Sequence, residues 1–472
     1  MLFNSAEYLF LFLPLTLVIF YFLHNSYWRI ALGFLAFSSL FFYSYWNPKY
    51  LSVFFGSILV NFLFAKVLAK HSMTVRGKKI LILCLAANLL LLAWYKYSAF
   101  VAWNSNALFG TNFSTLRHAL PLGISFFTFQ KIAFLVDNYQ GPQLIAGTIV
   151  HHSQLMPQFT IEQTAFKWSN ISYGLTYLTI GLAKKCLLAD SLAPYANRVF
   201  QATDHSLHTP ALIEAWLGTL AYTFQLYFDF SGYSDMAIGS ALFFGIALPI
   251  NFNSPYQSLD IAQFWRRWHM TLSAFLRDYV YIPLGGNRNG AARTNLNLMM
   301  TMLIGGLWHG AGWNFIIWGG LHGTYLLVHR SLGLRVGFSK HGGQILTFLS
   351  VCVAWVFFRA ETLNGALEIL QGMVGLNGLK LPLQAGVISE SFSTYTSHDW
   401  KGLIGDLWVM PFLIGLALIA FFAPNTQDIM TQLRSGKWRR FESCFALATG
   451  LVFALCLYTF ASGKQEFLYF EF

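Results

Sequence analysis

Residues 260–323 read DIAQFWRRWHMTLSAFLRDYVYIPLGGNRNGAARTNLNLMMTMLIGGLWHGAGWNFIIWGGLHG. Arg266, Arg267, His269 and Arg277 fall within one helix-length block, and His309 and His322 follow inside strongly apolar sequence. In a bilayer such groups are costly and persist where they find partners or do chemistry. Asp260, with Gln263 three residues on, makes a capping-box-like helix start. Phe264, Trp268, Leu272, Phe275 and Tyr279 then recur in steps of three and four, the mark of one helical face. Arg266, His269, Ser273 and Arg277 keep the same steps on another face. The pattern predicts one amphipathic helix over Asp260–Tyr279, with a cationic stripe and a histidine beside an aromatic wall. Two readings stand for it: an interfacial helix with its arginines on lipid phosphates, or one wall of an active site.

Pro283 and the run GGNRNGAAR (285–293) predict a basic turn. Backbone donors together with Arg288 and Arg293 can cradle a phosphate there. His309 lies in GGLWHGAGW, where flanking glycines admit close approach of other backbone or of a substrate. A neutral histidine below the membrane surface can serve as a base toward a hydroxyl. His322 comes 13 residues after His309. At about 100° per residue, an unbroken helix sets the two nearly opposite each other, unless the glycines bend the chain.

The surrounding chain reads as membrane. It has 472 residues, of which 56% are hydrophobic and 10% charged, with a mean hydropathy of +0.51. A soluble domain carries roughly 25% charged residues, so this chain cannot cover a water-facing surface. Apolar runs predict spans near 7–24, 28–46, 50–70, 79–101, 119–137, 169–188, 211–228, 232–250, 296–308, 312–330, 344–358, 406–424 and 442–461. The expected architecture is all-α and polytopic, a single membrane domain over 1–472 in which about 10–12 of these runs are membrane segments. Alternating β-barrel segments are not seen. No internal repeat appears, which argues against an inverted-repeat transporter.

The net charge of +11 reads first as topology, because cytoplasmic loops concentrate Lys and Arg. HSMTVRGKK (71–79), Lys184-Lys185 and SGKWRR (435–440) are placed on that face. Trp94-Tyr95-Lys96-Tyr97 reads as an interfacial anchor with a snorkelling lysine. Gln130, Lys131 and Asp137 read as a charged helix end meeting headgroups. Membrane lipids are thus expected partners and nucleic acid is not. The five cysteines lie singly, and His151-His152, His205 and His208 lack metal-ligand company, so no disulfide framework and no metal site is expected. Residues 2–23 have Glu7 ahead of the apolar run, no basic n-region and no A-x-A site, and read as a permanent first helix.

Longer motifs carry a resemblance. MLFNSAEYLFLFLPLTL (1–17), LPLGISFFTFQKIAFLVDNYQG (120–141), GLAKKCLLAD (181–190) and YTFQLYFDFSGYSDMAIG (222–239) recur in order. NFNSPYQSLDIAQFWRRWHMTLSAFLRDYVYIPLGGNR (251–288), GGLWHGAGWNFIIWGGLHG (305–323), AWVFFRAETLNGAL (354–367) and the ending QEFLYFEF follow them. The chain resembles the membrane-bound O-acyltransferases, in their bacterial alginate O-acetylase-like branch. The resemblance implies a helical bundle with a central tunnel and re-entrant or interfacial helices in the bacterial inner membrane. It puts the family's essential histidine on His309 and a second polar active-site position on His269. His322, Trp308, Ser273 and Asp235 stand as supporting positions. Arg266, Arg267, Arg277, Arg288 and Arg293 are candidates for a donor's phosphates. One departure is visible: Gln140-Gly141 run straight into Pro142-Gln143-Leu144, where the family usually has a further membrane segment, and Thr148 replaces the branch's proline.

The implied reaction is acetyl transfer from a cytoplasmic donor, acetyl-CoA, to hydroxyls of an extracytoplasmic polysaccharide, with no cofactor held by the protein. A periplasmic, SGNH-hydrolase-like acetyltransferase is the implied partner. His309 is expected as general base and His269 as the group orienting or polarising the acyl group. The alternatives are transfer of D-alanine or another acyl group to teichoic acid or peptidoglycan, and, in another class, an anionic-solute transporter or an inactive scaffold.

Overall fold

The computed structural model describes residues 1–45, 47–115, 119–141, 155–332, 340–379, 404–438, 440 and 442–460. Trp46, Arg117, the junction after Gly141, the His151-His152 pair, residues 380–403, Arg439 and the QEFLYFEF ending lie outside them. Among the described residues every regular element is helical.

The N-terminal third is a ladder of helices: Leu13–His24, Trp28–Ser44, Leu51–Lys70, Val75–Leu92, Ser98–Phe109 and Ile124–Gln140. A π-helical turn, Glu7–Phe12, leads into the first of these, and another, Ala93–Tyr97, joins the fourth to the fifth. Five stretches of the described residues are long and apolar enough to cross a bilayer: Glu7–His24, Pro48–Lys70, Val75–Phe109, His341–Arg359 and Glu442–Thr459. Val409–Phe422 and Thr426–Arg434, bent by 53°, add a sixth if they form one span. Glu442–Thr459 is only 6% buried against the rest of the protein, and it exposes Leu447, Leu451, Leu455 and Tyr458. Such a surface belongs in lipid.

The centre is built on the opposite pattern. Leu212–Phe243 is one unbroken helix of 32 residues, buried along most of its length. It replaces the two spans expected at 211–228 and 232–250. The polar run FDFSGYSD (228–235) suggests a break, but each acid in it is met by a lysine. Lys184 Nζ lies 2.7 Å from Asp235; Lys185 Nζ lies 2.5 Å from Asp229 and 2.7 Å from Asp190. Lys184 and Lys185 are therefore turned into the bundle as ion-pair partners rather than lying free in a loop. They sit on the π-helical segment Ala183–Ala189, which extends the Trp168–Leu182 helix. The N-terminus of the central helix is closed by Glu214, which accepts from the Ala211 amide and pairs with His208.

The Trp168–Leu182 helix packs antiparallel on the central one through two reciprocal glycine pairs. A Cβ on Gly174 would meet the Gly239 carbonyl at 2.8 Å, and one on Gly181 would meet the Gly232 carbonyl at 2.6 Å. Small residues at both crossings let the two backbones touch, the usual device for helix pairs in membranes.

Lys131 corrects a further expectation. It points into the bundle rather than toward headgroups, donating to Ser57 Oγ at 2.8 Å and lying over the Phe127 ring at 4.1 Å. Asn61 and Asn88 exchange amide hydrogen bonds of 3.1 and 2.8 Å nearby, between the Leu51–Lys70 and Val75–Leu92 helices. Asp137 accepts from Tyr279 at 2.8 Å, tying this N-terminal ladder to the 260–281 segment.

Candidate active site

The segment expected as one helix is three. Ile261–Trp265 starts as the capping residues indicate, with Asp260 accepting from the Gln263 amide at 2.7 Å. The chain then turns, and His269 takes the left-handed conformation (φ 41°, ψ 56°) ahead of Met270–Phe275 and the π-helical Leu276–Tyr281. This region is sparsely populated by non-glycine residues. The turn divides the expected stripe. Arg266 and Arg277 are exposed, and Arg267 is half-buried with a long 3.5 Å bond to the Ser254 carbonyl. Arg277 is held by Asp278 at 2.6 and 2.9 Å. Ser273 caps the Trp268 carbonyl at 3.2 Å. Arg288 is exposed on the turn before Gly290–His309, and Arg293 is exposed in the first turn of that helix. The basic turn thus ends at Asn289 rather than Arg293.

His269 itself is 1% exposed. Its ring meets Phe230 edge-on at 4.8 Å and Trp308 at 6.2 Å. Nδ1 lies 3.0 Å from Asn251 Oδ1. Asn251 stands on the loop after the central helix, so that helix and its exit loop place the ring.

His309 ends the Gly290–His309 helix, and the chain turns through extended Gly310 and Gly312 into Trp313–Ser331. A side chain at Gly310 would run into the Phe315 ring. The two helices cross closely, because a Cβ on Gly306 would strike the Phe315 carbonyl and one on Gly319 would strike the Met302 carbonyl. His309 and His322 therefore belong to two helices facing each other. The expectation that His322 points away from His309 fails for this reason. Both rings rest on Trp318, at 5.0 and 4.8 Å.

Rings run in one continuous series, His269–Trp308–His309–Trp318–His322. Trp308 meets His309 at 4.7 Å, and Phe358 packs on His309 at 5.0 Å. His322 is wholly buried and stacked on Phe264, with Trp265 at 5.1 Å. The structure thus brings together His269, Trp308, His309 and His322. Asp235 stands apart, bound to Lys184 and to Thr426 Oγ1 at 2.7 Å.

Sequence reasoning also misplaced Lys96. Lys96 does not snorkel. Its ammonium donates to the Trp308 carbonyl at 2.6 Å, the His309 carbonyl at 3.0 Å and Ser125 Oγ at 3.1 Å. Tyr97 donates to the Leu307 carbonyl at 2.6 Å. The last carbonyls of a helix have no intrahelical partners, and a cation is favoured at that end. Two neighbours from the Ala93–Tyr97 turn thus cap the helix that delivers His309. The available signal was a lysine inside an apolar run, which by itself marks a functional candidate.

A separate cavity of about 350 Å³ lies between the Ala183–Ala189 turn and the C-terminal helices, lined by Tyr227, Ile419, Thr426, Phe445 and Val452 among others. Tyr227 divides it from the aromatic floor of the site, packing on Phe252 at 6.2 Å and Trp268 at 6.4 Å. Among the described residues no group of three or more His, Cys, Asp or Glu side chains is placed to hold a metal ion.

Comparison with known proteins places the chain in a family. The family model of the membrane-bound O-acyltransferases matches residues 16–363. The chain is 40% identical to the peptidoglycan O-acetyltransferase of Helicobacter pylori, covering 100% of this chain and 98% of that one. It is 40% identical to a Pseudomonas putida protein named "Probable alginate O-acetylase AlgI", over 81% and 82% of the two chains. Similarity to the teichoic acid D-alanyltransferase of Streptococcus thermophilus is weaker, 30% identity over 44% of this chain and 56% of that one.

Proposed function

The chain belongs to the membrane-bound O-acyltransferase family, and from that premise we propose that it moves acetyl from cytoplasmic acetyl-CoA to hydroxyls of an envelope polysaccharide across the bacterial inner membrane. The observation that carries this reading is the pair of buried histidines, His269 and His309, on either side of Trp308. The acceptor hydroxyl oxygen attacks the thioester carbonyl carbon while His309 takes the hydroxyl proton. A C–O bond forms, the C–S bond breaks, and the proton passes to the departing sulfur to give the free thiol. His269 orients the reacting groups, and burial keeps water from intercepting the thioester. Arg266, Arg288 and Arg293, exposed outside the aromatic core, are suited to meet donor phosphates.

The name of the relative that matches end to end makes peptidoglycan the first acceptor to assay, ahead of an alginate-like polymer. A periplasmic SGNH-like acetyltransferase would then receive the acetyl group or complete its transfer. D-alanyl transfer is the second reading and has the shorter match behind it.

The test is His309→Ala in the native host, with O-acetyl ester measured on isolated peptidoglycan and on other envelope polysaccharide. Ester on one polymer should fall to the level of a strain lacking the gene. Unchanged ester at normal protein abundance overturns the proposal, and loss of D-alanyl ester instead selects the second reading.

A further inference from the structure

Asn251 grips the left-handed break at His269 from two sides. Its backbone carbonyl accepts from the Met270 amide at 3.0 Å, and two residues on, the Asn253 amide donates to the Arg267 carbonyl at 3.0 Å. Its side-chain oxygen faces three groups: His269 Nδ1 at 3.0 Å, Thr271 Oγ1 at 3.0 Å and the Thr271 amide at 3.3 Å. The Thr271 amide can only donate, so the Asn251 atom turned toward it is the carbonyl oxygen and not the NH₂. The NH₂ points the other way, toward Ser234 Oγ at 3.5 Å.

An imidazole nitrogen 3.0 Å from that oxygen must carry a hydrogen, since two lone pairs would otherwise face each other. A neutral imidazole has one N–H and one lone pair, and the hydrogen bond made by one nitrogen sets the state of the other. The left-handed backbone at His269 (φ 41°) is held by the same residue, so the conformation and the proton position have a common cause.

We infer that Asn251 is a positioning residue that fixes His269 as the Nδ1–H tautomer and leaves the Nε2 lone pair as its working atom. This rests on the reading that His269 belongs to the acetyl-transfer site, and it narrows what His269 does there. A ring in this tautomer cannot polarise the thioester oxygen by donating from Nε2. It orients by accepting, either from the acceptor hydroxyl or from an N–H of a neighbouring group.

Two measurements test it. The first is ¹⁵N NMR of histidine-labelled full-length protein in lipid bilayers, with the His269 signals identified by difference against His269→Asn. A protonated Nδ1 and bare Nε2 are expected, and a protonated Nε2 with bare Nδ1 overturns the inference. The second is acetyl incorporation into envelope polymer by inverted membrane vesicles supplied with labelled acetyl-CoA. Asn251→Leu, similar in size but without the oxygen, should lower kcat about 100-fold with the KM for acetyl-CoA within about twofold, since a mis-set tautomer in a catalytic histidine is known to cost up to ~10⁴-fold. Asn251→Asp keeps an acceptor in place and should restore kcat to within about tenfold of the parent. Should the leucine variant not accumulate, Asn251→Ser, too short to reach the ring, replaces it in the comparison. An aspartate variant as impaired as the leucine or serine variant, or a leucine variant close to the parent, overturns the inference. Parent vesicles that incorporate no acetyl label, while the NMR shows the expected tautomer, would count against the acetyl-transfer reading and not against the role of Asn251.

Discussion

Lys96 spends all three ammonium protons on Ser125, Trp308 and His309, so it acts on His309 through the backbone. Lys96→Met would leave two carbonyls at the end of that helix without donors, at about 1–3 kcal/mol each. Some of this loss should appear as misplacement of the imidazole, giving about a 10–100-fold fall in acetyl transfer, at about tenfold per 1.36 kcal/mol. Lys96→Arg should recover part of it, because a guanidinium can reach carbonyls but with a fixed planar fork. Initial rates in membrane vesicles check both variants. The inward direction of Lys96 was not legible in the sequence, because it depends on the π-helical turn Ala93–Tyr97. One extra residue per turn rotates every later side chain relative to an α-helical reading. The burial of His309 was legible, since its glycine neighbours and apolar approach are local. The tautomer-setting contact of His269 was not, since Asn251 lies 18 residues away.

At the scale of elements, hydropathy located helices well and misjudged their continuity. Runs near 28–46, 50–70, 312–330 and 406–424 appear as Trp28–Ser44, Leu51–Lys70, Trp313–Ser331 and Ile404–Phe422. The central helix was cut in two because its acids look like a loop until their lysine partners on another element are known. The 260–279 helix erred in the other direction. Its three-and-four periodicity persists across a break that the pattern cannot register, since a single left-handed residue keeps the spacing while changing the direction. The glycine seam gives a prediction at this scale. Gly232→Val would place side-chain atoms against the Gly181 carbonyl and the Lys184 Cβ. Overpacking of this kind costs about 1–3 kcal/mol. Thermal unfolding in detergent should show a lower midpoint, with a smaller effect for Gly232→Ala.

Across the whole molecule, every lysine counts toward the +11 charge and so toward a topology reading, yet Lys131, Lys184 and Lys185 are turned inward. Removing one partner of a buried ion pair strands the other and typically costs about 3–5 kcal/mol. Lys185→Met should therefore lower abundance and thermal stability while leaving orientation in the membrane unchanged. Cysteine accessibility at the 71–79 loop, compared on the two sides of the membrane, checks that separation, and a flipped loop would contradict it. The fold class and the family were open to the sequence because long motifs and apolar runs are local properties. The pairing that assembles the site was not, because it joins segments far apart in the chain.

That distance has a consequence for synthesis. The capping bond between Lys96 and the His309 carbonyl spans 213 positions, and the Tyr279–Asp137 bond spans 142. While the ribosome is still translating the middle of the message, the early helices already carry Lys96 and Asp137 but have nothing to clasp. The helix that ends in His309 consequently lacks its lysine cap until the WHG turn has emerged and docked against the Ala93–Tyr97 turn.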